Sequence, residues 1–158
     1  MQTDLQAELK QTRPFRSPIE EAFVGLQRTA AVLEHALETA LKPSGITSTQ
    51  YNVLRILRGA GEQGLCRTEV GERMVRRVPD VTRLLDRLEE AGYIGRTRGG
   101  DDRRYVTTRI TPAGLAALAD LDTIVGNFLG RYAGVLDADQ LQALIGALTA
   151  LRRATDDA

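Results

Sequence analysis

The chain has 158 residues, enough for one buried core, and with no tryptophan and only 4% aromatic residues that core must be aliphatic. A single cysteine excludes an intrachain disulfide, one cysteine and one histidine leave too few ligands for a structural zinc site, and no apolar run is long enough to span a bilayer. The formal net charge is zero, which excludes a uniformly basic nucleic-acid binder.

The N-terminus carries no apolar signal core, and a reducing compartment suits the lone cysteine, so the expected location is the cytoplasm. Residues 1–16 are polar and lack periodicity, and read as a flexible N-terminal arm. Ser17-Pro18-Ile19-Glu20 starts a helix: Ser17 caps it, Pro18 takes the first helical position and Glu20 closes a capping box. Phe23, Leu26, Ala30, Leu33, Leu37 and Leu41 follow at steps of three and four, a heptad-like stripe that stops near Pro43 and Gly45. Thr47-Ser48-Thr49-Gln50 is a second capping box, before a helix through Tyr51, Leu54, Ile56 and Leu57 to about Ala60. Gly61 to Gly64 make a turn, a short helix runs from about Thr68 to Met74, and Val75 to Val78 form a basic turn.

Pro79 opens the next helix, in which Val81, Leu84, Leu85 and Leu88 share one face. Asp80, Thr82, Arg83, Asp86, Arg87 and Glu90 occupy the opposite face, and Gly92 ends the helix. The period then changes to two. Tyr93 to Thr97 and Tyr105 to Ile110 read as a β-hairpin around Gly99-Gly100-Asp101-Asp102. Thr111-Pro112 opens a long helix carrying Leu115, Leu118, Leu121, Ile124, Val125, Phe128 and Leu129. Asp137, with Gln140 three residues on, caps a last helix striped by Leu141, Leu144, Ile145, Leu148 and Leu151.

The expected fold is mainly α with a small β-hairpin wing: a winged helix-turn-helix over residues 46–111, with a helical dimerisation region in 17–45 and 112–153. The first helix and the last two carry apolar faces that one copy of this size does not cover, so a homodimer is expected, with Ile19, Phe23, Leu144, Leu148 and Leu151 in its interface.

The charge distribution supplies what the net charge hides. Residues 66–109 hold 11 Arg and no Lys against 8 acidic residues, whereas residues 110–158 hold 3 Arg against 6. Arg offers a planar fork that fits phosphates and guanine edges. In a winged helix-turn-helix the second helix enters the major groove of duplex DNA with its N-terminal side chains toward the bases. The candidate contacts are Arg67 and Thr68 on the short helix, then Arg76, Arg77, Pro79, Asp80, Thr82, Arg83 and Arg87, with Arg103 and Arg104 at the hairpin tip for a neighbouring minor groove. The plainer alternative is a solvated face, its arginines paired with Asp80 and Asp86, and Arg87 with Glu90.

Tyr51 and Arg55, one turn apart, and His35 are candidates for a pocket that takes a small anionic effector; core packing, a surface charge and a structural histidine are the alternatives. Cys66 is either a small hydrophobe or a redox-sensing thiol activated by a helix N-terminus. No nucleophile with its base, phosphate loop or metal motif is present, so no catalysis, cofactor or metal is expected. The alternative to DNA binding is a protein-interaction module on the same scaffold.

The stretch from Val81 through Arg83, Asp86, Arg87 and Leu88 to Gly92-Tyr93-Ile94 resembles the recognition helix of the MarR family of bacterial regulators. Asp102-Arg103-Arg104, followed by Ile110-Thr111-Pro112-Ala113-Gly114, resembles the family's Asp-x-Arg wing and Leu-Thr-x-x-Gly pattern, and the helix order matches over residues 18–152. The resemblance implies a triangular dimer, a repressor, an Asp102 that positions the wing and an Arg104 that enters the minor groove. It also implies an aromatic or phenolic anion, bound between the dimer helices and the DNA-binding lobe, that releases DNA. Four positions depart from the pattern. Ile110 replaces Leu, Pro79-Asp80 stands where small polar residues are common, and Cys66 stands where Thr or Ser is common. The family's usual sensing cysteine lies in the first helix, which here has none.

Overall fold

A computed structural model describes residues 4–98 and 106–156; Asp102, Arg103 and Arg104, the expected wing tip, lie outside the described residues. In chain order it contains α1 (Asp4–Glu8), α2 (Pro18–Leu41), α3 (Ser48–Ala60), β1 (Leu65–Cys66), α4 (Arg67–Arg73), α5 (Val81–Glu90), β2 (Ile94–Arg98), β3 (Val106–Ile110), α6 (Pro112–Gly130) and α7 (Ala138–Asp156). This is the mainly α, winged helix-turn-helix arrangement expected from the sequence. Among the described residues no helix is long and apolar enough to cross a membrane.

The helix starts follow the capping chemistry with one shift. Thr47 and Gln50 form the reciprocal capping box of α3, and Asp137 and Gln140 exchange the same two bonds before α7. At α2, Ser17 Oγ accepts from the Glu20 backbone N–H, but the Glu20 carboxylate accepts from the backbone N–H of Arg16 at 2.5 Å and from its guanidinium, one residue before the position a capping box requires.

Residues 4–16, part of the expected flexible arm, contain a short helix. The five-residue α1 packs on α2: Leu5 reaches Gly25, Glu8 pairs with Arg28 at 2.7 Å, and Gln6, only 4% exposed, donates to the Arg13 carbonyl at 3.1 Å. A helix this short has no readable period and depends on docking for its stability.

The core is centred on α3. Val53, Leu54 and Leu57 are fully buried among Leu41 of α2, Val70 of α4, Leu85 and Leu88 of α5, and Leu118 and Leu121 of α6. The sheet has the order β1-β3-β2, all antiparallel, with Leu65 opposite Thr108 and Ile94 opposite Ile110. The expected hairpin is therefore the larger part of a three-stranded sheet.

One joint fixes how α5 and the sheet meet α6. Gly92, at φ +77°, ends α5 in a Schellman turn, with Gly92 N–H bonded to Glu89 O and Tyr93 N–H to Leu88 O. The chain leaves as β2, returns as β3, and closes on its point of departure. Thr111 N–H donates to Tyr93 O, its hydroxyl donates to Gly92 O at 2.7 Å, and the same oxygen accepts from Gly114 N–H as the cap of α6. A Cβ built on Gly114 would stand 2.1 Å from Tyr93 O. Gly114→Ala must therefore open this joint, and it is expected to lower the unfolding free energy by about 1–3 kcal/mol, read from urea melts. A loss under about 0.5 kcal/mol would mean that the joint yields freely.

Candidate nucleic-acid interface

α4, the turn 74–80 and α5 form the helix-turn-helix. Its turn is held from inside by Met74 in the core and from α3 by Asn52, whose Oδ1 accepts from Val75 N–H at 3.0 Å. The expectation that Pro79 opens the second helix is corrected: Asp80 is the N-cap, its Oδ1 accepting from Arg83 N–H at 2.9 Å. An aspartate wins this position because its carboxylate satisfies an orphan N–H and faces the positive end of the helix dipole. That role also accounts for an acid at the mouth of a basic surface.

Leu85 and Leu88 fasten α5 to the core, so Thr82, Arg83 and Arg87 stand exposed on its other side. Arg67 and Thr68 lie on the first turn of α4, and the Arg67 guanidinium reaches Thr82 Oγ1 at 3.4 Å, bringing the two helices' candidates together. Arg77 and Pro79 are exposed in the turn. Arg76 is turned to a different partner, an ion pair with Glu34 of α2.

The pairing of these arginines with Asp80 and Asp86 weighed above does not form. Asp80 is engaged as a cap and Asp86 pairs elsewhere, so Arg77, Arg83 and Arg87 make no ion pair among the described residues, and Arg87 does not join Glu90. The residue that takes Asp86 is Arg96 of β2, which bonds Asp86 at 2.5 Å and Glu89 at 2.5 and 2.8 Å. These hydrogen bonds, that to Glu89 foremost, raise the pKa of the guanidinium further. Arg96 clamps the sheet to the back of α5. It was not singled out in the sequence, although a signal exists: by strand alternation it shares the face of buried Ile94, where an arginine needs partners.

Tyr51 and Arg55 do come together. They line a cleft of about 460 Å³ between α2, α3, α6 and the turn, walled by Leu33, Leu37, Met74, Val75 and Phe128, with Glu34 and Arg76 among its charged groups. The Arg55 guanidinium lies 5.7 Å from the centre of the Tyr51 ring. Tyr51 donates its phenol proton to Asp122 Oδ1 at 2.9 Å, and Arg58 holds the other carboxylate oxygen at 2.5 Å. Burial, then the Asp122 bond, raise the Tyr51 pKa; the Arg58 hydrogen bond chiefly lowers that of Asp122.

His35 does not join this cleft. It lines a separate depression with Glu38, Thr39 and Lys42, because one residue along α2 turns the side chain about 100° away from Glu34. Of the expected interface residues, Ile19 is 60%, Phe23 49% and Leu144 43% exposed, and Leu148 and Leu151 are half-buried. Most of α7 is exposed in the isolated chain.

The sequence model of the MarR family matches residues 46–106. An HTH-type transcriptional regulator of Bacillus subtilis, YcgE, is 37% identical over 98 residues, covering 60% of this chain and 61% of its own length. The first curated relatives are thus matched over about three fifths of their length. A MarR transcription factor from Planctomyces limnophilus, known as a crystal structure, is 35% identical, with 87% of this chain and 99% of that one covered at a TM-score of 0.67. A mutant MarR from E. coli, crystallised in complex with operator DNA, is 25% identical, with 85% and 99% covered at a TM-score of 0.70.

Arg96→Ala is expected to lower stability by about 1–2 kcal/mol, since Asp86 and Glu89 of α5 lose their shared partner on the sheet; an unchanged urea midpoint would remove the clamp. Asp122 adds a pH dependence. A carboxyl whose folded pKa is depressed stabilises the native state above its ordinary value and loses that contribution as pH falls through the folded value. The stability gap between wild type and Asp122→Asn should therefore be present at neutral pH and shrink below about pH 4. A gap that stays constant into strong acid rejects this assignment.

Proposed function

This chain belongs to the MarR family of transcription regulators, and on that premise we propose that it is a cytoplasmic homodimeric repressor that binds a pseudo-palindromic duplex operator and is released by a small aromatic or phenolic anion. The observation that carries DNA binding is the division of charge around α5. Arg77, Arg83 and Arg87 are exposed without an ion-pair partner among the described residues, while Asp80 is engaged as a helix cap and Asp86 and Glu89 by Arg96.

In this reading Arg83 and Thr82, with Arg67 beside them, meet base edges in the major groove, Arg77 and Arg87 meet phosphates, and Arg104, positioned by Asp102, enters the minor groove. The exposed apolar residues of α2 and α7, Ile19, Phe23 and Leu144 among them, are covered by a second copy. Its two-fold axis sets the half-sites one helical turn apart. The cleft beside Tyr51 and Arg55 takes the effector, with apolar walls for a ring and a cation for its charge. Repression, as opposed to activation, follows the family resemblance.

Selection of bound sequences from random duplexes, at two salt concentrations, tests the reading. It should enrich a pseudo-palindrome, and enrichment of no sequence with steep salt dependence would mean phosphate-driven binding alone. Arg83→Ala should cost about 1–3 kcal/mol of binding and relax one base position. An unchanged affinity would favour a protein-interaction module.

A further inference from the structure

Arg76 sits in the turn that leads into α5, yet its guanidinium is bound to Glu34, a residue of α2. The pair crosses the rim of the cleft, and both partners line it. It thus ties the helix-turn-helix to a helix outside that lobe at the place where a bound molecule would sit. Both side chains are substantially exposed, so the pair holds a position at little energetic depth and is cheaply exchanged. The cleft's charged lining consists of Glu34, Arg55 and Arg76, one anion and two cations, and Arg55 makes no ion pair among the described residues. A guanidinium engages a carboxylate through paired hydrogen bonds, so a ligand carboxylate is a chemically equivalent replacement for Glu34.

We propose that the Arg76–Glu34 ion pair is an exchangeable latch: an organic carboxylate with an apolar body enters the cleft, takes Arg76 from Glu34 with the help of Arg55, and so frees the turn before α5 from α2. This rests on the reading of the cleft as an effector site and adds the means by which occupancy reaches α5. With the pair made, α5 is held in one position relative to α2. With Arg76 on the ligand, Glu34 is left facing an anion, and the like charges disfavour return to the latched state. The ligand acts because it binds the unlatched state better, which is the requirement for any shift of population.

The test uses the full chain, with benzoate and 4-phenylbutyrate as probes and their amides as uncharged controls. Calorimetric titration without DNA comes first. Glu34→Gln removes the internal competitor and should tighten binding of the carboxylates by roughly two- to fivefold. Arg76→Gln should weaken it, and the amides should bind poorly to all three proteins. Unchanged or weaker carboxylate binding by Glu34→Gln, no binding by wild type, or equal binding of acid and amide overturns the exchange. Thermal melts show whether the variants are folded.

The second arm measures affinity for the selected operator. 4-Phenylbutyrate should lower it by roughly fivefold or more in wild type. Glu34→Gln should start from a lower affinity and respond by less than about twofold. A wild type that binds the acid without losing operator overturns the latch. If no duplex is bound at all, the proposed DNA-binding function fails, while the titrations still decide the exchange.

Discussion

The arrangement depends on a single close approach of backbone to backbone. Because Gly114 has no side chain, the first turn of α6 lies against the carbonyl of Tyr93, and Thr111 ties that turn to the last residues of the α5 cap. A hairpin normally leaves its two ends free to diverge. Here both ends are bonded to each other at the root, so α5, the sheet and α6 form one rigid corner. The exposed face of α5 is aimed by this corner together with the core residues Leu85 and Leu88. A helix that is positioned by buried contacts at its back can present arginines at its front without needing them for its own stability.

Charge is then sorted by location. Arginines behind and around the corner are engaged: Arg96 with Asp86 and Glu89, Arg58 with Asp122, and Arg109 with the carbonyls of Glu62 and Gln63. Those at the front, Arg77, Arg83 and Arg87, stand outside the ion pairs of the described residues. A chain with no net charge thereby keeps these arginines, unpaired among the described residues, on the face where an anionic partner would meet them.

Much of this was legible from residue order, because caps and periods are local properties. Ser17, Thr47, Thr111 and Asp137 announce helix starts through bonds within three residues, and the alternation from Ile94 and toward Ile110 marks the strands. What escaped was decided by distant partners. The two residues of β1 have no period and are a strand only because β3 lies beside them. Asp80 is the local exception: its N-cap bond to Arg83 N–H lies within three residues, and Pro79 drew the helix start too early. Glu34 and Arg76 meet across the fold, and no local pattern announces that pair. His35 was grouped with Tyr51 and Arg55 on residue type, and helical phase separates them. Arg96 was readable in principle, since a charge on the inward face of a strand demands a counterion.

The pairing of Leu65 with Thr108 also bears on how the chain acquires its shape. β1 is a strand only when β3, which follows all of α4, α5 and β2 in the chain, lies beside it. Closing that long loop costs chain entropy, and a growing chain cannot make the pairing until β3 has been synthesised. The α5 sequence is thus complete before the sheet that aims it can close, and the three-stranded sheet ties the start of α4 to the strand that follows α5.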